Sequence, residues 1–452
     1  MKLQSINPYT EEVMKEFDYS KTDDVLTTLK RLKENKGWAN LDIKDRAGAV
    51  KKVARILERD KKENAKLISM EMGKPIKESI SEIERSVQVC DYFAEIAEKF
   101  LQDEILGTEY SKSYIAMQPL GMILGVMPWN FPFHQVIRFA IPTILAGNTI
   151  AVKHSSNVPQ CALKIEDAFN EGLPENVYSN LFIESTDVGK LIESDYVDGV
   201  SLTGSVAAGA SAAKVAGENV KKTVLELGGS DPFIVLDDAD LNKCCDSATF
   251  ARFRNCGQAC AASKRFIVQK GVYNDFLESF VDNIKKLRLG NPLDEATDIG
   301  PLARGDLRDN LDKAVKKSVG MGAKILVGGK TKQGKGFFYE PTVITNINES
   351  MPVFREEMFG PVAIVIPVEA EDDAIRMANN TEYGLGSSLW TRDLVKAEKL
   401  AKRIDSGMVF INTNLRSEPK LPFGGVKKSG YGRELSYLAL REFVNMKTVV
   451  VR

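Results

Sequence analysis

Met122-Ile123-Leu124-Gly125-Val126-Met127 is followed at once by Pro128-Trp129-Asn130-Phe131-Pro132, then by the longer apolar stretch Phe133 to Leu145, and then by Thr149-Ile150-Ala151-Val152. Short apolar runs bounded by turn residues predict buried strands, and the longer stretch between them predicts a helix. Strand, crossover helix and strand make a βαβ unit, which requires parallel pairing. The rhythm continues downstream. Val177 to Ile183 and Val197 to Leu202 read as strands, and Gln160 to Glu171, Val188 to Glu193 and Val206 to Ala216 as helices. A second α/β unit opens at Asp231-Pro232-Phe233-Ile234-Val235-Leu236, with helices over Asp240 to Arg254 and Val272 to Leu289 and a buried strand at Ala363 to Pro367. The fold class is therefore α/β, with helices on both faces of parallel sheets.

Upstream, Asn7-Pro8-Tyr9-Thr10 reads as a turn before an alternating stretch, Val13 to Phe17. From Asp23 to about Leu101 the pattern is helical. Ile76, Ile80, Ile83, Val87, Phe93 and Ile96 fall at spacings of three and four or their multiples, which predicts three or four amphipathic helices broken near Trp38-Ala39-Asn40 and at Met72-Gly73-Lys74-Pro75.

The 452 residues are 43% hydrophobic, enough for two or three domains with large cores. The formal charge of -1 balances 61 basic against 62 acidic residues without any block of one sign, which argues against nucleic acid or an anionic membrane as the main partner. The apolar region Ile115 to Val152 is broken by Gln118, Asn130, Arg138, Asn148 and several prolines and does not read as a membrane span. The first residues lack the apolar segment of a secretory signal. Six scattered cysteines fit a reduced, cytoplasmic protein better than a disulfide framework. Cys256 and Cys260 have zinc-compatible spacing, but no Cys or His follows them, so no metal is expected.

Three residues carry candidate chemistry. Cys260 lies among small and polar neighbours, Asn255-Cys256-Gly257-Gln258-Ala259, past the end of a predicted helix. A thiol in that setting is either a buried filler or a nucleophile. Glu226 stands in Val224-Leu225-Glu226-Leu227-Gly228-Gly229. An apolar setting raises a carboxyl pKa into the range of a general base, while an edge-strand Glu facing water is the competing reading. Asn130, between Pro128 and Pro132, is either a turn residue or an amide donor to an oxyanion. Gly204-Ser205-Val206-Ala207-Ala208-Gly209 is a strand-to-helix turn; such a turn packs tightly or receives an anion at the helix N-terminus.

Seven segments in chain order settle these ambiguities. Pro128-Trp129-Asn130-Phe131-Pro132, Val152-Lys153, Leu202-Thr203-Gly204-Ser205, Glu226-Leu227-Gly228-Gly229, Gly257-Gln258-Ala259-Cys260, Glu356-Glu357-Met358-Phe359-Gly360-Pro361 and Pro422-Phe423-Gly424-Gly425 resemble the aldehyde dehydrogenase superfamily over essentially the whole chain. The resemblance implies that Cys260 attacks an aldehyde, that Asn130 and the Cys260 backbone N–H hold the oxyanion, and that a thioester remains after hydride transfer to a nicotinamide. Glu226 then activates the water that releases the acid. It also implies cofactor contacts at Trp129, Lys153, Ser156, Gly204, Ser205, Leu227, Glu357 and Phe359. NAD-preferring relatives often carry Glu where this chain has Ser156, and losing that carboxylate removes repulsion against a 2′-phosphate. NADP is therefore preferred as the expected cofactor, with NAD the alternative. A thiol esterase without redox chemistry is the alternative from another class, and the phosphate turn and Glu357-Met358-Phe359 argue against it.

Arg138, on an apolar helix, and Arg254, six residues before Cys260, resemble the arginine pair of succinate-semialdehyde dehydrogenases. Guanidinium groups suit a carboxylate at the far end of a short aldehyde. Ser417 and Phe423 are further substrate-site candidates. Lactaldehyde and glyceraldehyde are the alternative substrates. The resemblance implies a Rossmann-like cofactor domain over 1–102 and 120–228, rejoined by 426–443, and a catalytic domain over 229–425. A small oligomerisation element takes 103–119 and 444–452, which implies a homodimer or homotetramer. Cys256 is expected to be structural, with a reversible disulfide to Cys260 as the alternative.

Overall fold

The computed structural model describes residues 2–452. Its first sheet has six strands in the order Gly430–Tyr431, Lys222–Glu226, Gly199–Thr203, Met122–Met127, Thr149–His154 and Tyr178–Asn180. All are parallel except the two-residue strand Gly430–Tyr431, which runs antiparallel to Lys222–Glu226. From Met122–Met127 the chain steps outward twice to one side and then returns to build the other side with Gly199–Thr203 and Lys222–Glu226. The crevice at such a reversal, beyond the carboxyl ends of the strands, is where open α/β sheets bind ligands.

The helix Pro132–Leu145 begins with proline, whose absent N–H costs nothing in the first turn. All of its residues are buried. It can lie close on the sheet because Gly125 has no side chain: a Cβ there would meet the Phe139 ring at 2.6 Å. The long helix Ile76–Leu101 and the helix Ile43–Arg59 pack against it and complete the first core.

The second sheet has seven strands in the order Lys324–Val327, Thr342–Thr345, Val362–Val368, Ser263–Gln269, Asp231–Val235, Gly386–Trp390 and Met408–Ile411, with only Lys324–Val327 antiparallel. It has its own core, in which Phe233 stacks on Trp390 and packs against the tilted ring of Phe266, with ring centroids 5.6 and 5.1 Å away. A third, antiparallel sheet joins Val444–Val451, Lys112–Pro119 and Glu104–Leu106.

The expected βαβ rhythm is present, with differences. The Asp23 to Leu101 region holds five helices rather than three or four, because Lys36–Asn40 is itself a short helix around the buried Trp38. The strand expected over Val177 to Ile183 is only Tyr178–Asn180; its lone parallel neighbour is Thr149–His154, and pairing ends with that edge. The helix expected over Val272 to Leu289 ends at Lys285. The strands Lys324–Val327, Thr342–Thr345, Gly386–Trp390 and Met408–Ile411 were not anticipated, since at four or five residues they are too short for a periodic pattern to mark them.

Replacing Phe233, which is fully buried, should cost about 3–5 kcal/mol in a Phe233→Ala variant. A lowered urea midpoint checks this, and an unchanged midpoint contradicts the packing described.

Candidate active site

Four of the expected residues stand at carboxyl ends of the first sheet's strands. Asn130 follows Met122–Met127, Lys153 is the penultimate residue of Thr149–His154, Ser205 follows Gly199–Thr203, and Glu226 is the last residue of Lys222–Glu226. Cys260 arrives from the other unit, on the loop that leads into the strand Ser263–Gln269. The Asn130 side-chain amide donates to the Gln258 carbonyl at 3.0 Å, so it lies against the cysteine loop.

That loop has an unusual backbone. Asn255 and Cys256 have φ of 52° and 54°, and Gly257 follows at 71°. Two non-glycine residues in the left-handed region carry strain. The surrounding bonds hold it. The Asn255 side chain donates to the carbonyls of Asn130 (2.8 Å) and Gln258 (3.0 Å). Arg252, fully buried, donates to the carbonyls of Gly257 (3.0 Å), Met358 (3.1 Å), Ser263 (3.3 Å) and Gly360. Gly257 has no room for a side chain, since a Cβ would lie 2.3 Å from the Gly360 carbonyl oxygen.

Lys264 donates to the carbonyls of Cys260 (2.7 Å) and Ala259 (3.0 Å) and lies 3.3 Å from Glu357. Glu357 also accepts from the Gly229 backbone N–H at 3.0 Å. The Gly228-Gly229 pair admits these approaches: a Cβ on Gly228 would lie 2.4 Å from the Glu357 carboxylate, and one on Gly229 would lie 2.8 Å from the Cys260 carbonyl. Phe359 meets Trp129 edge to face at 5.6 Å.

Glu226 is buried, and neither carboxylate oxygen has a hydrogen-bond partner. Burial, and then the neighbouring Glu434, hold its carboxyl well above the usual range, while Arg138 and Arg433 pull it down. Burial likewise pushes the Cys260 thiol up to about 11, against Arg138 and Lys264, which favour the thiolate.

Arg138, Ser417 and Phe423 are brought together. The Arg138 guanidinium lies 4.3 Å from the Phe423 ring centroid and 3.4 Å from the Ser417 hydroxyl, and is ion-paired with the buried Glu434. Its Nη2 is buried without a hydrogen-bond partner. Although the charges of Arg138 and Arg254 both act on His134, Arg254 makes no hydrogen bond or ion pair with this cluster among the described residues. It lines a cavity of about 540 Å³ with Arg85, Phe131 and Phe250 and has no carboxylate partner within salt-bridge distance among the described residues. Burial and then Arg85 lower its pKa to about 10.

Around the crevice, Ser205 caps the helix Val206–Glu218 by accepting from the Ala208 N–H at 3.2 Å. Ser205 and Ser156 are exposed, Gly204 is half-buried, and Leu227 packs under the helix against Gly209. Lys153 is buried with its ammonium 3.1 Å from the Ser185 hydroxyl. These residues suit a dinucleotide: exposed N–H groups at a helix start for a phosphate, a cation and hydroxyls at the neighbouring strand end, and an aromatic pair at the mouth. His154 has a structural role, its ring bridging the Pro132 carbonyl (2.9 Å) and the Ser155 N–H (2.8 Å). Cys256 is buried in the second core, and burial raises its thiol.

Sequence reasoning missed Arg252, Lys264 and Glu434. A signal existed for two of them: Arg252 interrupts an otherwise small and apolar helix face, and Lys264-Arg265 opens a strand whose residues are all buried. Glu434 had none, since Gly432-Arg433-Glu434 reads as a surface turn.

The model of the aldehyde dehydrogenase family matches residues 1–449, and the chain belongs to that family. It is 43% identical to a probable NADP(+) succinate-semialdehyde dehydrogenase of Synechocystis sp., over 99% of both chains. It is 42% identical to an NAD(P)+ succinate semialdehyde dehydrogenase of Escherichia coli, over 98% of this chain and 97% of that one. The solved structure of succinic semialdehyde dehydrogenase from Streptococcus pyogenes in complex with NADP+ superposes with a TM-score of 0.97 at 38% identity, covering 99% of each chain.

With the Cys260 pKa raised to about 11, the thiol is protonated at neutral pH, so alkylation of the free enzyme by iodoacetamide should accelerate with pH. The rise approaches tenfold per unit between about pH 7 and 9. A flat rate over that range, followed by mass spectrometry of the Cys260 peptide, contradicts the raised pKa.

Proposed function

We propose that this member of the aldehyde dehydrogenase family oxidises succinate semialdehyde to succinate and prefers NADP to NAD. One observation carries the chemistry: a thiol, a side-chain amide and an unpartnered buried carboxylate, Cys260, Asn130 and Glu226, converge from two separate sheets.

In this reading the Cys260 thiol releases its proton to solvent, the sulfur attacks the aldehyde carbon, and the oxyanion of the thiohemiacetal meets the Asn130 amide and the Cys260 N–H. Arg138 and Lys264 favour the thiolate that attacks. The dinucleotide, when bound, supplies the hydride acceptor, and an acyl thioester on Cys260 results. Glu226, its pKa raised by burial, takes a proton from water as the water oxygen attacks the thioester carbon. The C–S bond breaks, the acid leaves, and the proton held by Glu226 returns to the leaving sulfur to restore the thiol.

For the substrate, the free Nη2 of Arg138, the Ser417 hydroxyl beside it and the unpaired guanidinium of Arg254 supply donors for a distal carboxylate. The names of the relatives point the same way. Lactaldehyde and glyceraldehyde have no carboxylate to accept from these donors. For the cofactor, Lys153 and Ser156 offer a cation and a hydroxyl, with no carboxylate to repel a 2′-phosphate. Trp129, Gly204, Ser205, Leu227 and Phe359 line the rest of the dinucleotide path. Glu357 faces the ribose in this reading and shares its carboxylate with Lys264.

The first sheet with its helices serves as the cofactor domain and the second as the catalytic domain. Exposed apolar side chains on the third sheet, among them Ile105, Met446 and Val450, support its use in joining subunits into a homodimer or homotetramer. Six free cysteines suit a cytoplasmic setting; among the described residues no helix is long and apolar enough to cross a membrane.

Steady-state cofactor reduction tests the substrate. Succinate semialdehyde should exceed butanal in kcat/KM by at least ~100-fold, and Arg254→Ala should remove ~10–100-fold of that preference, the worth of one charged hydrogen-bond pair. Equal rates for the two aldehydes, unaffected by Arg254→Ala, contradict it. Ser156→Glu should weaken NADP relative to NAD by ~10-fold or more, read from the two KM values; an unchanged ratio removes the cofactor assignment.

A further inference from the structure

The helix Ile76–Leu101 and the turn before it carry charges that the mechanism above does not use. Lys74 and Glu82 are both fully buried and paired with each other. Lys74 donates to the Asn130 carbonyl at 2.9 Å and stands 3.8 Å from the Phe131 ring centroid. One oxygen of Glu82 accepts from the backbone N–H groups of Phe133 (2.9 Å) and His134 (3.2 Å). The pair therefore grips the chain on both sides of the Phe131-Pro132 step, with the carbonyl of residue 130 held by the ammonium and the first turn of the next helix held by the carboxylate.

One turn before Glu82, Glu78 accepts from the Asn255 N–H at 2.7 Å. Asn255 in turn donates to the same Asn130 carbonyl that Lys74 holds. The Asn130 carbonyl thus receives two donors from two different elements, while its side-chain amide points to Gln258 on the cysteine loop. A buried ion pair is seldom a net gain in stability over an apolar pair of the same size. What it supplies here is a fixed direction for the backbone that carries Asn130. A deviation of about 1 Å in an oxyanion donor is enough to lose much of its effect.

We propose that the Lys74–Glu82 pair is a positioning device that aims the Asn130 side-chain amide at the oxyanion, acting through the Asn130 carbonyl and the first turn of the helix Pro132–Leu145. The proposal rests on the reading of Asn130 as the oxyanion donor. Lys74 and Glu82 do not touch substrate in it.

The test is a double-mutant cycle between Lys74→Met and Asn130→Ala, reading kcat, KM and the Kd for NADP by fluorescence titration. Lys74→Met alone should lower kcat by ~10–100-fold, with the NADP Kd unchanged within about threefold as for a site away from the dinucleotide. In the Asn130→Ala background it should cost little more, because the group it aims is gone. Glu82→Gln, which keeps the shape and an acceptor for the helix N–H groups, provides a milder variant for the same cycle with the same expected non-additivity. Losses that multiply in the double variants, or wild-type kcat in Lys74→Met, overturn the proposal. Full activity in Asn130→Ala alone would instead remove the oxyanion reading on which it rests.

Discussion

One buried guanidinium ties together the two loops of the second unit that face the site. Arg252 donates to carbonyls on the cysteine loop, at Gly257, and on the loop carrying Glu357 and Phe359, at Met358 and Gly360. The cysteine loop runs through a conformation that needs holding. Asn255 and Cys256 sit in the left-handed region, at roughly 1–2 kcal/mol of strain each. Hydrogen bonds from a charged donor, about 1.5–3 kcal/mol each, are of the size needed to offset that strain. Removing the donor would also leave buried carbonyls unpaired, which is the more severe loss.

A separate set of bonds joins the two sheets. Asn130 and Glu226 come from carboxyl ends of one parallel sheet, while Cys260 comes from the loop entering a strand of the other. Separate cores hold the two sheets, so their relative placement is set by contacts at the seam. The Asn130 amide on the Gln258 carbonyl and the Glu78 carboxylate on the Asn255 N–H both cross it. Glycines at 228, 229, 257 and 424 allow the backbones to approach; at Gly424, with φ of 156°, a side chain would lie 2.7 Å from the Glu226 carboxylate. Within that enclosure burial raises both Cys260 and Glu226, and the cations Arg138 and Lys264 oppose the shift at the thiol.

Much of this was legible in the sequence. The βαβ alternation from Met122 onward gave the parallel strands, since buried strands and crossover helices differ in length and punctuation. The motifs at Asn130, Glu226 and Cys260 marked turns whose meaning came from their order along the chain. The ion pair of Arg138 with Glu434 was not legible. It joins residues 296 positions apart by subtraction of their numbers, and nothing local to either predicts the other. The left-handed run at Asn255 and Cys256 was hidden for a different reason: neither residue is glycine, and the bonds that hold the strain come from Arg252 and Glu78, in other elements.

The central claim is that one sulfur carries the acyl group until the Glu226 carboxylate delivers water to it. The most direct measurement is to mix a Glu226→Gln variant with NADP and succinate semialdehyde, quench in acid and map the peptides by mass. The account predicts a succinyl adduct on Cys260 that accumulates to about one per subunit together with one burst equivalent of reduced cofactor. A burst without that adduct, or an acyl group on any other residue, would contradict it.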